Sequence, residues 1–175
     1  MNQDLYEAFA RYLKQRSLAD FLAARSVLMG LPSYDPWSPE LAELHRLREL
    51  QDWAALRRRA LEVIDNWMLT PFIHECVALS SQKLGDEDRA QLEMELFAAC
   101  AQGILMTGDG SADFPYLTVR IDDAYGALVH LEVEWTRERS ATRHGVACHV
   151  LTGPDGREYW FDLSLAAAAK QSLLT

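Results

Sequence analysis

No stretch of this chain stays apolar long enough to cross a bilayer, and its opening residues, Met1-Asn-Gln-Asp-Leu-Tyr-Glu7, carry no basic-then-apolar leader. A cytoplasmic location is therefore the expectation. Cysteine is scarce: Cys76, Cys100 and Cys148 lie too far apart for metal-ligand spacing. An odd number of them suits a reducing compartment, with each thiol acting as a small buried hydrophobe. Positive charge is scarce where the chain is most acidic. Residues 86–175 hold 7 basic and 15 acidic side chains, a net of −8, against 10 and 11 in residues 1–85. Phosphate repulsion excludes nucleic acid as a partner for that second half, and a basic protein is its natural complement.

What is present is a chain of 175 residues, 49% hydrophobic with five tryptophans, enough for one domain with a sizeable core. Helical spacing recurs through the first two-thirds. Leu5, Phe9, Tyr12 and Leu13 define a helix over 4–15, and Ser17 with Asp20 opens a second that ends near Gly30. Three prolines within 32–39 force a loop, which Tyr34 and Trp37 should pin to the body. Ser38 and Pro39 then start a helix over 40–49, Asp52 caps the next, and Thr70-Pro71 starts another. That last helix is apolar on two flanks (Phe72, Cys76 and Leu79; Ile73 and Val77), as a helix sandwiched between neighbours would be. Asp86 opens the longest helix, whose expected buried face is Leu92, Leu96, Ala99 and Gly103.

The run Ile104-Leu-Met-Thr-Gly-Asp-Gly-Ser111 divides the helical part, 1–107, from a β-rich part, 108–175. Gly108 is expected as a left-handed helix cap, and Asp109-Gly110-Ser111 as a turn. Strands are expected over 116–121, 132–139, 145–151 and 158–163, with Asp122 capping a short helix over 124–131, and the tail 165–175 as a last helical turn or a frayed end. The fold class expected is α+β: an antiparallel helical layer packed on a small antiparallel sheet.

Leu50-Gln-Asp-Trp53 and Leu84-Gly-Asp-Glu87 stand 34 residues apart, each a helix-end leucine, a turn and an aspartate cap. Thirty-four is the tetratricopeptide period, and residues 52–85 resemble one such unit. One unit plus a helix cannot close a solenoid, so the C-terminal region must complete the core. Further motifs, Leu105-Met-Thr-Gly-Asp-Gly-Ser111, Asp122-Asp-Ala-Tyr125 and Tyr159-Trp-Phe-Asp-Leu163, with Asp20-Phe-Leu-Ala-Ala-Arg25 and Tyr34-Asp-Pro-Trp37 nearer the start, are similar to a bacterial domain-of-unknown-function family, family forty-nine nineteen. The resemblance covers residues 5–163, with Asp123 where that family usually has Glu and Trp37 where it usually has Tyr. It implies the helices-then-sheet architecture and carries no activity.

Catalytic signals are few. The glycines around Asp109 lack the lysine of a phosphate loop. His74-Glu75 lacks the second histidine of a zinc protease, with Ala78 in that place. No nucleophile, base and orienting group fall at recognisable spacing among His45, His74, His130, His144 and His149. Arg46, Arg48 and Arg57-Arg-Arg59 are expected to pair with Glu43, Glu49 and Glu62. The expectation is therefore a non-catalytic protein-binding module without cofactor or metal. Its specific form is a bacterial immunity protein that neutralises a cognate toxin or secreted effector with a basic patch, through Asp109, Asp113, Asp122, Asp123, Glu132 and Glu134. Two alternatives stand beside it. One is a metal-dependent enzyme or small-molecule binder at the acidic loop around Asp109. The other is a self-assembling subunit, such as a homodimer.

Overall fold

The computed structural model describes residues 2–36 and 39–164. Among them, the helices are α1 (Gln3–Gln15), α2 (Leu18–Met29), α3 (Glu40–Glu49), α4 (Trp53–Trp67), α5 (Pro71–Lys83), α6 (Glu87–Leu105) and α7 (Asp122–His130). The strands are β1 (Tyr116–Leu117), between α6 and α7, then β2 (Arg137–Arg143), β3 (Val146–Thr152) and β4 (Glu158–Asp162). The fold is α+β. Trp37, Ser38 and the tail 165–175, for which sequence made specific expectations, lie outside the described residues.

Polar side chains set the helix starts. Ser17 Oγ accepts the Asp20 amide and donates to the Asp20 carboxylate. Asp52 and Asp86 accept the amides of Ala55 and Arg89. The 34-residue repeat is a repeated turn: Asp52 N donates to Leu47 O at 3.1 Å and Asp86 N to Ser81 O at 2.9 Å. Gln51 and Gly85, at the equivalent positions, have φ of 56° and 80°. The end of α7 closes the same way, with Val133 N on Leu128 O and Glu132 at φ 56°.

Helix α5 lies between α4 and α6 and buries most of its length, as its two apolar flanks require. One core joins α3, α4 and α5 through Leu44, Leu56, Trp67, Phe72 and Val77. A larger one is shared by both halves of the chain: Phe9, Tyr12, Phe21 and Ile104 from helices meet Tyr116, Leu151 and Phe161 from strands. Of the expected buried face of α6, Ala99 and Gly103 are buried and Leu96 is half-buried against the core, while Leu92 is not covered. Leu92 is 47% exposed, and Glu93 beside it is fully buried against His74.

The sheet order is β1-β4-β3-β2. Three strands form the expected antiparallel meander, but β1 pairs with β4 in parallel, Tyr116 opposite Phe161. The strand expected over 116–121 stops at Leu117 because side chains claim the backbone beyond it. Arg25 donates to Thr118 O, Tyr34 to Val119 O, and Asp123 accepts the amides of Val119 and Arg120. Tyr34 thus does pin the proline loop. The strand expected over 132–139 begins only at Arg137, after the left-handed turn at Glu132. Its residues are mostly exposed and charged, which suits an edge.

Candidate functional site

The loop singled out by sequence is built from its own polar atoms. Asp109 N and Gly110 N both donate to Phe114 O at 3.1 Å, and Asp109 Oδ1 accepts the Ser111 amide at 2.8 Å. The Ser111 side chain and amide hold the Asp109 carboxyl below the usual carboxylate range. Gly110 uses its freedom at φ 74°. Gly108 is not the left-handed cap expected: α6 ends in ordinary helical geometry at Met106, and Gly108 is needed for its smallness. A Cβ there would stand 2.5 Å from the Phe114 carbonyl oxygen. Asp113 pairs instead with Arg143 at 2.8 Å and His144 at 3.4 Å.

The next acidic pair lies inside the molecule. Asp123 is fully buried, its Oδ2 accepting Val119 N at 2.7 Å and Arg120 N at 3.0 Å. Burial pushes its carboxyl up to about 6, against the opposing pull of those amides and the Arg120 guanidinium. Arg120 is also buried, with its guanidinium 3.9 Å over the Trp67 ring and bonded to the carbonyls of Asp35 and Asn66. Asp123 is therefore a structural group, closed to any partner. Asp122 does not cap α7, whose N-cap is Ile121. Glu132 and Glu134 are exposed in the segment between α7 and β2. Among the described residues, no three His, Cys, Asp or Glu side chains converge as metal ligands. The aspartates of the loop and of α7 are thus not brought together.

Asp122 opens onto a different feature. Two clefts, of about 550 Å³ and 340 Å³, share Arg48, Glu75 and Val129 and so form one groove. Each helix gives it one face. His45 and Arg48 come from α3; Phe72, Glu75 and Leu79 from α5; Ala90, Met94 and Phe97 from α6; Asp122, Tyr125 and Val129 from α7. These spacings of three, four and seven are those of a single helix stripe. The helices meet closely because Gly126 lies against Pro71, where a Cβ would approach the ring to 2.7 Å.

The groove is apolar with charges set in it. Met94, Val129 and Trp135 remain 48%, 47% and 37% exposed. Arg48 and Glu75 neutralise each other at 2.8 Å where the two clefts meet. In the smaller cleft His45 stacks on Phe72 with ring centroids 4.4 Å apart, and Trp135 leans on Tyr125 at 5.3 Å. Tyr125 is held by its hydroxyl on Glu138. Asp122 is 7% exposed; its Oδ1 faces His45 Nε2 at 3.7 Å, and its Oδ2 has no hydrogen-bond partner. Burial raises the Asp122 carboxyl, with His45 acting in the opposite direction. Sequence reasoning named Asp122 and missed His45, Glu75, Tyr125, Val129 and Trp135. The available signal was Asp122, Tyr125 and Val129 at i, i+3 and i+7 on one short helix.

Elsewhere three arginines of the basic cluster are paired. Arg59 meets Glu43 and Glu62 as expected, while Arg48 and Arg57 reach across to Glu75 and Asp86. All three cysteines are free and buried. Among the described residues no helix is long and apolar enough to cross a membrane. No protein-family model matches the chain, and no curated protein or solved structure matches it.

Proposed function

We propose that the chain is a non-catalytic protein-binding module whose groove between α3, α5, α6 and α7 receives a segment of another protein. The specific form of the reading is an immunity-type protein in the bacterial cytoplasm that blocks a cognate, basic toxin or secreted effector. One observation carries it: an open, largely apolar groove runs between four helices and leaves Met94, Val129 and Trp135 exposed. Exposed apolar side chains in a continuous depression gain most by excluding water against another surface. The net charge of −8 over residues 86–175 favours approach of a basic partner at long range.

The test is affinity purification of the tagged full-length chain from its native host, beside the variant Val129→Glu. Expected is one stoichiometric protein held by the parent chain, lost from the variant, and toxic when expressed without this chain. Equal retention by both chains, or a partner whose expression alone leaves growth unchanged, overturns the binding surface or the immunity role respectively. Sedimentation of the chain as a dimer that Val129→Glu dissociates would assign the groove to a second copy instead.

A further inference from the structure

Strand β2 is an open edge of the sheet. It is paired along its whole length with β3, from Arg137 opposite Thr152 to Arg143 opposite Val146, and no strand among the described residues lies beyond it. The two-residue turn at His144 and Gly145, with φ of 50° and 81°, makes Arg143 and Val146 a hydrogen-bonded pair. The ladder then alternates, so Arg137, Arg139, Ala141 and Arg143 spend their backbone groups on β3. The phase is confirmed by Leu163 N, which donates to Ala147 O at 2.8 Å, for Ala147 is one of the β3 residues turned to β4. The amides and carbonyls of Glu138, Ser140 and Thr142 therefore point away from β3. No backbone group among the described residues reaches them from the other side.

Edges of this kind are usually blocked by proline, by lysine or by a very short strand. β2 is seven residues long and contains neither residue. Its inward acid, Glu138, is held by the Tyr125 hydroxyl at 2.8 Å.

We propose that β2 pairs with β2 of a second copy, antiparallel about a two-fold axis through Ser140, so that the two sheets become one. A row of alternate free N–H and C=O groups is matched by another extended backbone. Charge selects a copy of the same strand. Arg137, Arg139 and Arg143 are balanced by Glu138, Glu158 and Asp113 around them, so the edge suits a strand without net charge, as its own copy is. The register centred on Ser140 uses both backbone groups of all three outward residues, and sliding by two residues either way strands one of them. In that register the strand is complementary to itself. Ser140 faces its own copy, hydroxyl to hydroxyl, and Glu138 stands opposite Thr142, a hydroxyl donor. Arg139, bonded to Glu158 and leaning on Trp160, stands opposite Ala141, which leaves it room. Arg137, with no ion pair among the described residues, comes beside Arg143 of the second copy and shares the Asp113 that Arg143 holds at 2.8 Å. One strand edge buries less than a standard interface, so the dissociation constant should be on the order of 100 µM.

The pairing is independent of the groove, and sedimentation equilibrium of the full-length chain from about 10 µM to about 1 mM tests it. Expected is a monomer–dimer equilibrium that Val129→Glu leaves unchanged. Ser140→Lys and Ser140→Glu each set like charges face to face on the axis, and each should weaken the dimer by about fivefold. An equimolar mixture of the two variants should restore it. Ser140 is exposed, so both variants keep the parent fold. In amide hydrogen exchange, Glu138, Ser140 and Thr142 should gain protection as concentration rises, while Arg139 and Ala141, already bonded to β3, change little.

A monomer throughout that range overturns the proposal. So does a dimer that both Ser140 variants leave intact, or one that Val129→Glu dissociates. Protection of Glu138, Ser140 and Thr142 that is equal at all concentrations also overturns it, by showing the edge covered within one chain.

Discussion

Among single residues, His74 shows most directly how burial and charge are reconciled. Its Nδ1 faces the Glu93 carboxylate at 2.7 Å and its Nε2 faces the Met68 carbonyl at 2.9 Å. Both partners accept, so both ring nitrogens must carry hydrogen and the buried ring is an imidazolium. Burial opposes that charge, but Cys100, Glu93 and the Met68 carbonyl outweigh it and raise the pKa to about 10. The stabilising contribution is therefore complete below the unfolded value near 6.5 and is lost as pH rises through 10. Urea midpoints should fall between pH 7 and 10, and the slope should flatten in His74→Phe/Glu93→Leu. His74→Phe alone should cost about 1–3 kcal/mol by leaving Glu93 Oε2 without a donor while Arg89 still holds Oε1, and the double variant should recover part of it. Equal losses in the single and double variants would contradict the pairing. Sequence offered His74 only as half of a failed zinc motif, because Glu93 lies 19 residues away on the next helix.

Among elements, the helices were legible because their caps and stripes are local: Ser17, Asp52 and Asp86 all cap where expected. The strands were not, because side chains distant in sequence decide where β1 ends. Arg25 and Tyr34 reach residues 118 and 119 from more than eighty positions away. Groove residues such as Trp135 were equally hidden, since what makes them a site is which helices meet, and only Asp122 was named beforehand. The repeated turn gives a test at this scale. Gln51 is held at φ 56°, a conformation that costs a side chain what glycine avoids. Gln51→Gly should raise stability by about 0.5–1 kcal/mol, and Gly85→Ala should lower it by about 1 kcal/mol. Gly126→Ala should cost about 1–3 kcal/mol by forcing α7 off Pro71. Thermal melts of the three variants against the parent chain check the signs.

For the whole molecule, the helical layer and the sheet share one core in which Phe9, Tyr12 and Ile104 are covered together with Leu128, Leu151 and Phe161. A chain ending at Met106 should therefore aggregate or melt without cooperativity. A monomer melting as sharply as the full chain would show two independent bodies instead. The same assembly brings α7, which follows the first strand, against α5 and α6 from the helical layer and so completes the groove.

Whether that groove is the working surface is read most directly by photo-crosslinking in the native host. A photoreactive side chain is placed at Met94 in the groove and, as control, at exposed Glu7 on α1. The expected result is one discrete protein adduct from Met94, and none from Glu7. The same adducts from both positions, or none from Met94 while Glu7 captures a partner, would contradict the groove as the docking site.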